Sequence, residues 1–394
     1  MKKKLITLAV ASTLTAAVAV SAPAFADTSN VTVYGFANLS YDLTNNGAIG
    51  TNKVSSSQSR LGLKGSEDLG DGLSAVWQLE QGINIDNSGT AGNGFATRNS
   101  FLGLSSGSMG TFILGRHDTP YKIASRGFDV FADTIADNRS LMGGTPYVAN
   151  IATPAVNAVA SSSAAASFDG RQGDVVAYIS PAMGGFTGAI AYVAGAEGAT
   201  TAGQSKGSAW SLAGLYGNGP LSANLGYEVH DVGTAPGTLG NPALPVVKET
   251  AWKVGAGYTM DALTVNAVYE RTSDNFGGQA ALGTAALAAG ADTFGHNSWY
   301  LSGKYSFGND AVKLAYTKMD NMNAALGADT GAKQVSVGYD HNLSKRTSLY
   351  GLYTKLSNGT NAAFGLSSIS TGATAASGAG VGVSAWSFGM KHTF

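Results

Sequence analysis

Charged residues make up only 12% of this 394-residue chain, so the places where they gather are informative. Three aspartates, Asp129, Asp133 and Asp137, stand at a spacing of four. Arg60 and Lys64 repeat that spacing with the opposite sign, and Arg98, Arg116 and Arg171 follow singly. None of these sets is equipped to make or break bonds. The five histidines, His117, His230, His296, His341 and His392, are scattered, and no hydrolase or metal-ligand motif surrounds any of them. The absence of cysteine excludes a thiolate nucleophile, a disulfide scaffold and a Cys-ligated metal centre. Neither a G-x-x-x-x-G-K-[ST] loop nor a strand–GxGxxG–helix is present, so no nucleotide, metal or other cofactor is expected. Electrostatic work is open to these charged sets: acids facing bases across a narrow, low-dielectric space would create a field that orients polar solutes and ions. The plainer reading of Asp129, Asp133 and Asp137 is a short solvated helix with its acids on one side.

A confined space needs walls, and the composition says what they are built from. There are 54 glycines, roughly twice the usual share, and 44% of residues are hydrophobic. That balance excludes a disordered chain and argues against helical repeats. Lys and Arg number 24 against 25 Asp and Glu, so there is no basic excess for nucleic acid. Beyond residue 26 no run of about eighteen apolar residues could form a spanning helix. Period-two alternation recurs instead. From Ser298 to Phe307, Trp299, Leu301, Tyr305 and Phe307 share one face, while Ser298, Ser302, Lys304 and Ser306 share the other. Leu263, Val265, Ala267 and Tyr269 alternate in the same way with Thr264, Asn266 and Glu270.

One such strand would suit a soluble sandwich equally well. The number of strands and the rhythm of their connections decide the matter. Sixteen strands are expected, near 30–41, 58–67, 73–85, 97–105, 111–117, 174–180, 186–194, 207–216, 221–230, 248–260, 263–273, 297–307, 311–318, 332–342, 346–356 and 383–394. Tight turns such as Asp68–Gly72, Asp261-Ala262 and Gly308–Asp310 alternate with longer Gly/Ala/Ser/Thr-rich loops. The expected fold is therefore all-β: a 16-stranded antiparallel transmembrane β-barrel with short periplasmic turns and long extracellular loops. Closure supplies every backbone N–H and C=O with a partner inside the lipid. Ahead of it, Lys2, Lys3 and Lys4, an apolar stretch and Ala24-Phe25-Ala26 read as a secretory signal peptide over 1–26, cut between Ala26 and Asp27. Residues 27–394 then form a single barrel.

Several segments resemble the general porins of Gram-negative bacteria, in their beta-proteobacterial form. They are Asn30–Gly35, Ser59–Gly70 with Trp77-Gln78-Leu79-Glu80 after it, Leu114-Gly115-Arg116, and the closing Lys391-His392-Thr393-Phe394. The resemblance implies a homotrimer in the lipid bilayer of the outer membrane, passing ions and small hydrophilic solutes by passive diffusion. It implies that the third loop, about 118–170, folds inward and carries Asp129, Asp133 and Asp137 as the acidic wall of a constriction. Arg60, Lys64, Arg98, Arg116 and Arg171 are the expected basic wall, and His392 and Phe394 the signal read by the outer-membrane assembly machinery. Alternation independently puts Arg60 and Lys64 on one face with Gly62, opposite Leu61 and Leu63. An arginine on the lipid face at mid-depth would cost ~2–4 kcal/mol, which also turns Arg60 inward. Arg116 rests on the resemblance, because the pattern around Phe112 and Leu114 does not resolve. A second reading is a barrel acting mainly as a structural or adhesive surface protein, which single-channel conductance would distinguish.

Overall fold

The computed structural model describes residues 30–86, 94–143, 168–194, 208–232, 247–273, 292, 295–323, 328–366 and 373–394. The expected leader with its Ala26–Asp27 cut, and 144–167 of the third loop, lie outside the described residues. The first strands are β1 (Asn30–Asn45), β2 (Gly50–Ser56), β3 (Arg60–Gly70), β4 (Leu73–Gly82), β5 (Ser100–Ser106) and β6 (Gly110–Asp118). Helix α1 (Pro120–Arg126) follows. Then come β7 (Arg171–Ile179), β8 (Phe186–Val193), β9 (Ala209–Asn218), β10 (Leu221–Val232), β11 (Val247–Met260) and β12 (Leu263–Ser273). The last are β13 (Asn297–Phe307), β14 (Asp310–Met319), β15 (Ala332–Asn342), β16 (Thr347–Asn358) and β17 (Val383–Thr393).

Apart from β2 and β3, which both pair with β1, each strand pairs antiparallel with its neighbours in sequence, and β17 returns to pair with β1 from Phe36↔Thr393 to Asn45↔Ser384. The sheet is therefore a closed barrel without an exposed edge. β1 is matched by β3 over its first half and by β2 over its second. The two pieces are one crossing interrupted at Ser57–Ser59, where Gln58 takes a φ of 55°, so the wall has sixteen crossings. The second strand begins at Gly50, eight residues earlier than its alternation suggests, because Thr51, Asn52 and Lys53 conceal the apolar phase.

The wall is turned inside out relative to a soluble protein. In β15, Val335, Val337 and Tyr339 are 47%, 50% and 45% exposed while Gln334 and Ser336 are buried. Hydrocarbon is the solvent that makes this favourable, since it accepts valine and leucine and rejects glutamine. Aromatic pairs such as Tyr192–Trp210, Trp252–Tyr269 and Tyr353–Trp386 sit toward the long-loop ends. Their amphipathic rings suit the membrane interface. At the other end the turns are tight; Asp71 and Gly72 take φ values of 52° and 74°, which suits the right-handed strand twist. The chain end closes the seam: Phe394 N–H donates to Gly35 O at 3.0 Å and Gly35 N–H to Phe394 O at 3.2 Å. His392 Nδ1 lies 2.9 Å from Thr347 Oγ1.

Candidate pore constriction

The segment after β6 turns into the barrel instead of away from it. Pro120 at the first turn and the Thr119 side chain, which accepts from Lys122 N–H, start α1. The short helix therefore lies ahead of the three aspartates, not beneath them. From α1 the chain runs along the inner wall toward β1, fastened at each step. Tyr121 N–H donates to Ser211 Oγ at 2.9 Å, and the Asn224 amide donates to Ala124 O. Asn266 and Ser302 both donate to Phe128 O at 3.2 Å. Asn38 Nδ2 then donates to Asp133 O at 2.7 Å on the far side. The return leg is held by Glu270, which accepts from Gly143 N–H at 2.8 Å and from Tyr121 Oη at 2.7 Å. Lys253 Nζ joins it, 2.6 Å from Asp169 Oδ1.

Glycines in the wall make this seating possible. A Cβ at Gly255 would stand 2.5 Å from the Phe128 ring, and one at Gly338 would stand 2.7 Å from the Phe131 ring. Strand glycines thus serve as sockets for loop aromatics. Phe128, Phe131, Ile135, Leu141 and Met142 form one apolar cluster with Val268, Tyr300, Leu352 and Leu356 of the wall. The loop fills the β9–β17 side and leaves its free edge facing β3–β7.

Along that edge the charges meet. Arg60 Nη2 is 3.2 Å from Asp133 Oδ2, and the Arg60 guanidinium lies 4.3 Å over the Phe36 ring. Arg98 Nε is 2.6 Å from Glu80 Oε1, with Nη1 donating to Gln58 Oε1 at 2.6 Å. Arg171 Nη2 reaches Asp118 Oδ1 at 2.9 Å. Lys64 Nζ stands 5.3 Å over the Tyr34 ring and makes no ion pair among the described residues. Arg116 donates to Thr97 O at 3.0 Å and likewise meets no carboxylate. The irregularity between Gly115 and His117 explains why alternation could not orient it. Arg60 and Asp133 are thus brought together, whereas Arg116 stands apart from the paired charges.

The three aspartates share one partner that the sequence reading passed over. Arg126 lies 2.7 Å from Asp137 Oδ2, 3.0 Å from Asp133 Oδ1 and 3.6 Å from Asp129 Oδ2. Arg139 Nε adds a contact of 3.1 Å to Asp137. Burial alone would raise the Asp133 carboxyl, but Arg126 and Arg60 hold it well below the usual carboxylate range. Burial is likewise outweighed at Asp137, which Arg126 and Arg139 lower. Asp129 goes the other way, pushed up to about 6 by burial and by the neighbouring charge of Asp137. It is tied to Tyr300 Oη at 2.8 Å and to the N–H groups of Phe131 and Asn138. The spacing 126, 129, 133, 137 repeats the helical interval of three and four, a signal that could have exposed Arg126. Lys122, paired with Asp118 at 2.8 Å, and Lys391, 4.0 Å over the Phe36 ring, add further positive charge. The docked loop thus brings its charged edge against the basic side chains of the wall.

Comparison with known proteins points the same way. Residues 13–361 match the Gram-negative porin family. The chain is 29% identical to outer membrane porin protein 32 of Delftia acidovorans, over 100% of both chains. It is 30% identical to an outer membrane porin protein of Bordetella pertussis over 75% of this chain and 77% of that one. The anion-selective porin from Comamonas acidovorans superposes with a TM-score of 0.73 at 27% identity, covering 93% of this chain and 100% of that one. The chain belongs to the Gram-negative porin family: it is a general diffusion porin of the outer membrane, a channel for ions and small hydrophilic solutes rather than an enzyme.

Proposed function

We propose that the gap between the third loop and β3–β7 is the selectivity filter and that it favours anions. The observation that carries this is Arg126, which occupies the centre of the acidic trio. With Arg126 and Arg139 inside the loop, Asp129, Asp133 and Asp137 present one net negative charge in place of three. The basic residues on and around the gap, Arg60, Lys64, Arg98, Arg116, Arg171, Lys122 and Lys391, then outnumber the remaining carboxylates Glu80 and Asp118. Arg60 against Asp133 keeps a transverse component to the field, while the surplus sets its sign. In a narrow throat such charges are poorly screened and act on every passing ion. The similarity to a porin described as anion-selective supports the same sign.

The rest of the reading follows the family. The signal peptide over 1–26 is removed between Ala26 and Asp27, His392 and Phe394 present the chain to the assembly machinery, and three copies associate. Planar-bilayer recording under a potassium chloride gradient tests the filter: the reversal potential takes the sign of chloride permeation, and Arg60→Gln with Arg116→Gln moves it toward potassium. A cation-selective wild type would overturn the proposal.

A further inference from the structure

Asp42 is the least satisfied charged group in the described wall. It lies on the inner face of β1 and is wholly buried, and neither carboxylate oxygen has a hydrogen-bond partner. Two buried hydroxyls beside it are in the same condition, Ser55 Oγ on β2 and Ser387 Oγ on β17. The register brings the three together: Ser387 is paired directly with Asp42, and Ser55 is paired with Ser40, the next inward residue of β1. The Tyr350 hydroxyl, which neighbours Ser40 and Ser387, donates to Asn38 Oδ1 at 3.0 Å. The one cation at hand is Lys53, opposite Asp42 in the register, and its ammonium donates to Ala373 O at 3.1 Å in the last loop.

We propose that this place binds a small monovalent cation of the sodium type. A buried ionised carboxylate without donors is among the costliest arrangements a protein can hold. A protonated carboxyl could place its single O–H on only one of the two serine hydroxyls, and no such bond is formed. A water molecule would satisfy the oxygens but bring no positive charge, and Lys53, which feels the Asp42 carboxylate, gives its ammonium to Ala373 O without forming an ion pair with it. One carboxylate and two neutral hydroxyls balance a single positive charge. Calcium prefers six to eight oxygens, commonly with more than one carboxylate, and the site lacks them. The cation would join β1, β2 and β17, which is the seam where the first and last strands of the barrel meet.

Thermal unfolding of the detergent-solubilised protein in sodium chloride and in N-methylglucamine chloride, at equal ionic strength, tests this. Sodium should raise the midpoint by on the order of 2 °C or more and saturate. Asp42→Asn should abolish the difference, and Ser387→Ala, a milder change, should weaken it. Lys53→Met should leave it in place. Equal midpoints in the two salts, or a sodium response kept by Asp42→Asn, would overturn the assignment. So would a response that appears only in Lys53→Met, which would make the lysine the counter-charge. A larger shift with calcium at the same ionic strength would refute the monovalent character.

Discussion

The two sides of the barrel interior are built on opposite rules. From β9 to β17 the inner wall is a seat, with glycines hollowed under Phe128 and Phe131 and buried polar side chains bonded to the loop's backbone. From β3 to β7 the inner wall keeps long basic side chains facing the gap. The first side spends its surface on holding one segment of its own chain, and the second is the side proposed to meet solutes. A porin throat is thus set by how firmly one side grips as much as by what the other displays.

Loosening the grip should have the largest effect. Gly255→Val drives a side chain into the Phe128 ring, and Phe128→Ala removes the ring at a cost of about 3–5 kcal/mol. Either change should raise single-channel conductance and flatten selectivity together; an unchanged conductance would show that the loop edge does not set the bore. Arg126→Gln comes next. Breaking a buried ion pair leaves an uncompensated charge at a cost of about 3–5 kcal/mol, so Asp133 and Asp137 should draw cations and move the reversal potential toward potassium. Arg126→Gln with Asp137→Asn should recover part of that movement. Arg60→Gln alone should act in the same direction by less, on the order of 1 kcal/mol, because its pair with Asp133 is partly open to solvent.

The smallest effect is in pH. Asp129, raised to about 6, favours the docked loop when protonated. That contribution is complete below the ordinary carboxylate value near 3.8 and is lost as pH rises through about 6. Asp133 and Asp137 are lowered, so theirs is present above that value and is lost on further acidification. Between pH 7.5 and 5 the throat should therefore lose negative charge at Asp129 and gain a little positive charge at Lys122, which burial lowers to about 8, slightly increasing anion preference. Asp129→Asn should remove most of this response in reversal-potential measurements.

Much of the wall was legible in the sequence, because lipid on one side and water on the other force strict alternation. β12, β13 and β15 fall at the expected boundaries, residue for residue. β2 was not legible, since a strand near the outer rim carries polar residues on both faces. At the throat, alternation and the lipid penalty oriented Arg60 and Lys64. Arg126 escaped although it continues the three-and-four spacing of the acids, because its pairing with all three depends on how the segment is folded against the wall. The socket glycines escaped for a related reason: Gly255 and Gly338 look like ordinary loose points in a strand until the rings that fill them are in place.

The fastenings of the third loop bear on what a recording would look like over time. Asp118 is tied to Lys122 and Arg171 at one end, and Asp169 to Lys253 at the other. The described stretches of the loop, 118–143 and 168–170, bonded at both ends and at several points between, cannot swing like a flap on a hinge. Their displacement requires many weak bonds to let go at once, an infrequent event compared with the transit of a single ion. The open current should then be steady, with closures that are rare, abrupt and long-lived rather than a continuous flicker.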